Sequence, residues 1–322
     1  MNRPPTDGVV VQMEDLHELI RRIFVAVPIP EEQAGLIADM MIDTDLRGVV
    51  SHGVMQVKRY FSDFRSGATN SNPQLRILRE APGTVAINGD GGLGYIAGHM
   101  AMSMAIEKAR STGVGAATTT YHEHIGSAGK YVRLAMREGM VAFCSSGRPS
   151  RTFAPEGMVN SSADSAPFAF GIPAGSEHPD LLCDFASSVP FDEGFFAKQP
   201  QIFFRLIGIS HLANMLSGTL GGQMREWDPE ASRYPLANQS GFYLALAVES
   251  FVPFEEFTAD IDGTMASVSG MRPYPGLEKA QLPGGPELDC ERAYRRDGIP
   301  VCAEAQQNLE EIAAETGLRV PW

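Results

Sequence analysis

Leu16, Leu19, Ile20, Ile23 and Phe24 recur at i, i+3, i+4, i+7 and i+8, a spacing that predicts an amphipathic helix over residues 13–26. Pro28 and Pro30 stop it. Pro30 followed by Glu31 and Glu32 predicts a second helix start, since proline suits a first turn and carboxylates suit the positive end of the helix dipole; this helix should run to Leu46. From residue 84 the period changes. T-V-A-I-N (84–88) reads as a strand, 97–110 as a helix, 113–121 as a strand, 128–138 as a helix closed by Gly139, and 140–145 as a strand. Such alternation predicts an α/β layer structure with a largely covered sheet. Beyond Pro149 the chain reads as loop-rich until Leu181, followed by a helix over 201–217 and a strand over 242–248. The stretch from Pro253 to Pro286 reads as irregular, and 301–316 as helical.

Composition narrows the possibilities. A length of 322 residues, 43% hydrophobic and 20% charged, describes an ordinary globular chain of one or two domains. A net charge of −13 argues against nucleic acid and anionic membrane as partners. The N-terminus lacks an apolar leader segment, and the greasiest run, Phe203 to Ile209, is broken by Arg205. Cys144, Cys183, Cys290 and Cys302 lack C-x-x-C spacing, which points to a reducing cytoplasm and to no thiolate zinc site.

Three clusters carry candidate chemistry. Asp45 to Tyr60 packs Arg47, Ser51, His52, Lys58, Arg59 and Tyr60 into a short span, joining a proton carrier to guanidinium groups that bind a carboxylate in pairs. A capping serine and solvated bases are the structural alternative. Y-H-E-H-I-G-S-A-G-K-Y, from Tyr121 to Tyr131, lies where a strand runs into a helix, the place for anionic ligands in α/β sheets. His124 is the better acid/base candidate there. His122 and His124 would share a face if the strand continued, but a lone H-x-H without a third ligand makes no metal site. G-D-G-G-L-G-Y-I-A-G (Gly89 to Gly98) has G-x-G-x-x-x-G spacing, not that of a dinucleotide fingerprint, and residues 113–121 supply no acidic ribose ligand. It reads as a turn with positive φ and close helix–strand packing.

These blocks resemble the non-Rossmann family of NAD(P)-dependent malate, L-lactate, sulfolactate and ureidoglycolate dehydrogenases and cyclic-imine reductases. The resemblance continues through A-P-E-G (154–157), D-F-A-S-S (184–188), L-S-G-T-L-G-G (216–222) and L-P-G-G…R-R-D-G-I-P (282–300). It implies a mixed sheet covered by helices, with a helical N-terminal segment (1–75) packing with the C-terminal segment (251–322) beside a central α/β domain (76–250). It further implies a homodimer and a small carboxylate substrate. His124 falls on the catalytic acid/base position; His52 and Arg59 fall on positions approaching the substrate, with Arg59 gripping its carboxylate, and Ser51, Arg47 and Tyr60 lie beside them. Ser146, Asp184 and Gly284 fall on or beside positions contacting NAD or NADP.

The departures lie in the cofactor half. D-S-A-P (164–167) stands for the family's G-T-N-P, F-D-E-G (191–194) for A-R-G-K, and F-R-L-I-G (204–208) for H-K-G-Y-G, so that Arg205 replaces a cofactor lysine. Two carboxylates near a pyrophosphate are unfavourable. Three functions follow as alternatives: hydride transfer with NAD(P) at C2 of a 2-hydroxy or 2-imino acid; redox-neutral proton chemistry on a carboxylate by a scaffold that has lost the nicotinamide; or a binding protein that retains the fold.

Overall fold

The computed structural model describes residues 4–148, 150, 153–162, 166–187, 191–223 and 233–322. In chain order its elements are β1 (Val9–Val11), α1 (Met13–Val25), α2 (Glu31–Leu46), α3 (Val57–Ser66), β2 (Arg76–Ala81), β3 (Thr84–Asn88), α4 (Gly94–Thr112), β4 (Val114–His122), α5 (Gly129–Met136) and β5 (Met140–Gly147). These are followed by β6 (Pro167–Ile172), β7 (Leu181–Ala186), α6 (Glu193–Lys198), α7 (Pro200–Asn214), β8 (Gln239–Ala247), α8 (Phe254–Ser269), α9 (Gly285–Asp297), β9 (Ile299–Val301) and α10 (Ala303–Thr316).

The elements fall into two units. Unit one comprises residues 1–73, 173–181 and 254–322, and unit two residues 74–172 and 182–253. In unit one, α1 buries the five apolar residues of its stripe, and α3 buries Val57, Tyr60, Phe61 and Phe64 at helical spacing before Gly67, at φ 75°, ends it. The chain's two ends meet in this unit: β1 pairs antiparallel with β9, with Val10 opposite Pro300. The stretch from Pro253 to Pro286, expected to be irregular, holds α8, and α9 begins at its end. Between Pro253 and Pro273 no proline interrupts the chain, so a helix is free to form there.

Unit two is a mixed seven-stranded sheet of order β2-β3-β4-β8-β5-β6-β7. The loop-rich reading of 150–180 missed β6 and the approach to β7. Strand β4 is nearly all buried, because helices cover both sheet faces. A Cβ at Gly115 would strike the Ala105 carbonyl of α4, whereas a Cβ at Gly221 would touch Thr118 and Thr120. Odd and even positions of a strand point oppositely, so α4 covers one face and the turn after α7 the other. That turn, Met215–Thr219, is a single π-helical turn continuing α7.

Candidate active site at the carboxyl ends of three strands

β3 runs parallel to β4, and both β4 and β5 are antiparallel to β8, so β3, β4 and β5 point the same way. Their carboxyl ends release the glycine-rich loop 89–93, the loop 123–128 and the segment from 148 onward at a single sheet edge. Ligands of open α/β sheets bind at such edges. The glycine run behaves as its sequence suggests: Asp90 and Gly91 have φ of 50° and 73°, and a Cβ at Gly94 would lie 2.5 Å from the Glu123 carbonyl.

The two histidines of loop 123–128 and its approach differ. β4 ends at His122, so the pair does not continue as one strand face. His122 is fully buried. Its Nδ1–H donates to the Glu123 carbonyl (2.6 Å), and its Nε2 accepts from the Thr119 hydroxyl (2.8 Å). A carbonyl only accepts, so both nitrogens are satisfied in one neutral tautomer. Burial holds the imidazole pKa down at about 4. His122 is therefore a structural histidine. His124, two residues on, is half-buried in the loop.

Behind this loop lie two buried cations that the sequence reading did not single out. Lys130 places its ammonium 3.1 Å from the centre of the Tyr95 ring, and Arg133 is buried one helical turn further along α5. Helical phase on α5 was the only signal for them. Asp184 accepts the Gly129 N–H at the start of α5 (2.8 Å), so its carboxylate occupies the helix's positive end. Burial, and after it the Asp184 charge, push the Cys144 thiol well up, leaving it inert.

A cavity of about 270 Å³ opens beyond the end of β5, lined by Arg148, Phe153, Ser162, His211, Asn214 and Thr219 among others, with no carboxylate among the described residues that line it. Ser162 donates to the Val159 carbonyl (2.6 Å) and receives His211 Nε2–H (2.9 Å). Asn214 packs so closely on Gly147 that a Cβ there would stand 2.0 Å from its Oδ1. The sequence reading missed this cavity because its walls come from segments about fifty residues apart. Single π turns recur at functional sites, and Met215–Thr219 borders the cavity.

The remaining expected cofactor residues are scattered. Ser146 is buried in β5 and its hydroxyl donates to the Ser240 carbonyl (2.7 Å). Arg205 is exposed on α7. Asp192 of the F-D-E-G run caps α6, accepting the Phe195 N–H at 2.6 Å. Asp164 lies outside the described residues, and Ala166 is buried with its carbonyl engaged by Ser187. Gly284, in unit one, begins α9 with φ 102° and donates its N–H to Glu287 (2.9 Å).

In unit one the 45–60 cluster divides. Arg47 pairs with Glu291 (2.9 Å), both largely buried, and Tyr60 is fully buried. Asp45 accepts the Val54 N–H (2.8 Å) and fixes the turn that carries Ser51 and His52. Ser51 Oγ lies 2.8 Å from His52 Nδ1. Arg59 remains half-exposed, 5.6 Å from the Tyr60 ring centre and 3.6 Å from Asp63. Among the described residues no three His, Cys, Asp or Glu side chains group as metal ligands, and no helix is long and apolar enough to cross a membrane.

Comparison with known proteins places this geometry among relatives. Residues 11–192 match the family described as malate/L-lactate dehydrogenase. The malate dehydrogenase of Pyrococcus abyssi is 28% identical, with 97% of this chain and 96% of that protein covered. The L-sulfolactate dehydrogenase of Methanocaldococcus jannaschii is 26% identical over 97% of this chain and 98% of its own length. The solved malate dehydrogenase of Pyrococcus horikoshii OT3 superposes with a TM-score of 0.84 at 28% identity, covering 99% of each chain.

Proposed function

The chain belongs to the malate/L-lactate dehydrogenase family, and from that premise we propose that it transfers hydride between NAD or NADP and C2 of a small 2-hydroxy acid, or of its 2-imino counterpart. The observation that carries this reading is the contrast between His122, fixed neutral in the core, and His124, half-buried at the sheet edge where ligands bind. His124 is the group left to move the proton. In the oxidative direction its imidazole takes the hydroxyl proton as the C2 hydride leaves, giving the 2-oxo acid; in reverse it returns that proton. The nicotinamide ring, when bound, accepts or supplies the hydride.

The residues fit such a cofactor. Arg148, His211 and Phe153 line one cavity, a cationic and aromatic wall that suits an anionic ligand with an apolar part. Arg205 adds an exposed guanidinium suited to a phosphate. Asp192, which looked repulsive in sequence, has a structural duty as the cap of α6. Asp184 and Ser146 would act by shaping the wall and the helix start around the cofactor, and Gly284 is proposed as a cofactor-contacting position on the family resemblance alone. The redox-neutral alternative is not favoured, since all three relatives are named dehydrogenases.

Arg59, half-exposed beside the Tyr60 ring, is the group proposed to hold the substrate carboxylate, and the contacting pair His52 and Ser51 are proposed as further substrate-approaching residues. We also read the exposed stripe Phe204, Leu212 and Met215 on and just beyond α7 as a face for a second copy of the chain, and the four free thiols as suited to a reducing cytoplasm. The test is fluorescence titration with NADH and NADPH, followed by turnover on a panel of 2-oxo acids and cyclic imines. Saturable binding and turnover with either cofactor are expected. Absence of both at millimolar cofactor would end the reading.

A further inference from the structure

We propose that Gln223 is a positioning residue for the proton-transfer loop: its side chain holds Tyr121 in a left-handed turn and thereby places His124. The inference rests on His124 being the acid/base group.

Strand β4 carries one residue too many at its carboxyl end. Thr119 stands opposite Gly241 and His122 opposite Gln239, three steps along β4 against two along β8. Such a bulge turns the following side chains to the opposite sheet face and takes one backbone N–H out of the ladder. Here the extra turn falls on Tyr121, which adopts φ 53° although it has a bulky side chain and is buried. A left-handed non-glycine residue persists only where its surroundings hold it, and such residues gather at functional sites.

The holding groups are on the page. The Tyr121 carbonyl accepts from Gly91 N–H (2.8 Å) in the glycine-rich loop. Its N–H, displaced from β8, donates to Gln223 Oε1 at 2.6 Å. Gln223 is anchored by its own N–H to the Gly218 carbonyl (2.9 Å), and it follows Gly222, at φ 87°. A Cβ at neighbouring Gly221 would lie 3.0 Å from Thr120 Cγ2, so the L-S-G-T-L-G-G-Q turn packs directly on β4. On the far side of the bulge, Glu123 N–H donates to the Gly92 carbonyl (2.9 Å), and His124 is the next residue. The π turn, the glycine run and the bulge thus form one brace, and Gln223 is its side-chain link.

Three variants test this. Gln223→Met keeps the length and removes the acceptor, and its kcat should fall by roughly 10- to 100-fold while KM changes by less than about threefold, because a displacement of about 1 Å suffices for such a loss. Gln223→Glu keeps an acceptor oxygen and should restore kcat to within about threefold of wild type. Amide hydrogen exchange supplies a readout independent of turnover: the Tyr121 N–H should be protected in the wild type and in Gln223→Glu, and exposed in Gln223→Met. Equal protection in all three proteins, or equal kcat in wild type and Gln223→Met, would overturn the proposal. So would a Gln223→Glu variant as slow as Gln223→Met. If Gln223→Met failed to fold, rapid exchange of the Tyr121 amide in the wild type would refute the bond by itself. Should the wild-type protein turn over no 2-oxo acid or imine, the dehydrogenase reading fails, and the exchange comparison still decides whether Gln223 holds the turn.

Discussion

Replacing His122 by glutamine should change how stability depends on pH more than any other single substitution in the candidate site. In the folded protein the imidazole pKa lies at about 4, against an ordinary value of 6.5, because the ring is wholly buried, an effect that outweighs the opposing pull of its bond to the Glu123 carbonyl. The folded value is the lower one, so between pH 6.5 and pH 4 the unfolded chain binds more protons. The stability conferred by the neutral ring is therefore complete above pH 6.5 and drains away as pH falls towards the folded value. Integrating the proton difference from pH 7 to pH 5 gives a loss of about 2 kcal/mol from this one residue. His122→Gln removes that proton site while keeping an amide able to meet Thr119 and the Glu123 carbonyl, and all carboxylates titrate alike in both proteins. Urea unfolding of each at pH 7, 6 and 5 isolates the term as a difference. The gap between wild type and variant should narrow by about 2 kcal/mol on going from pH 7 to pH 5. Parallel pH curves would mean that His122 protonates freely when folded, and the assignment of proton transfer to His124 alone would lose its basis.

Other substitutions separate functional from structural duties. Arg59→Ala should raise KM for a carboxylate substrate by roughly 10- to 100-fold and leave kcat nearly unchanged; an equal rise for an ester analogue, measured by steady-state kinetics, would contradict the grip. Arg47→Ala removes one of the two guanidinium partners of Glu291, Arg295 keeping the other at 2.8 Å, and should cost about 1 kcal/mol in urea unfolding while KM stays at the wild-type value. Asp184→Ala uncaps α5 and should lower stability by about 1 kcal/mol, visible as a drop of a few degrees in Tm. Gly147→Ala drives a methyl group into Asn214 and should destabilise by about 1–3 kcal/mol, with weaker dinucleotide binding by fluorescence titration.

The elements that sequence reading found were those whose signal is local. The stripe of α1, the proline-led start of α2 and the buried strands 84–88, 113–121 and 140–145 all lie within about two residues of the observed elements. Elements formed by distant partners were invisible: β1 and β9 are three residues each and exist only because Val9–Val11 and Ile299–Val301 pair across the whole chain. Helix α3 is harder to read, because its Val57-Tyr60-Phe61-Phe64 stripe is interleaved with the charged Lys58, Arg59, Asp63 and Arg65. The site shows the same division. The H-x-H motif was legible, with His124 favoured as its acid/base group, but the Thr119 and Glu123 contacts that make His122 structural were not. Asp192 read as a repulsive charge because sequence does not show that its carboxylate is spent on the Phe195 N–H. Gln223, about a hundred residues from the bulge it braces, carried no signal at all.

Stopped-flow measurement of NAD(P)H formation from a small 2-hydroxy acid, with wild type and His124→Ala side by side, tests the central claim most directly. Turnover by the wild type and a loss on the order of 100- to 10,000-fold in the variant, with dinucleotide binding unchanged, is the predicted result. Wild-type rates in His124→Ala would show that the proton moves through another group and would contradict the account.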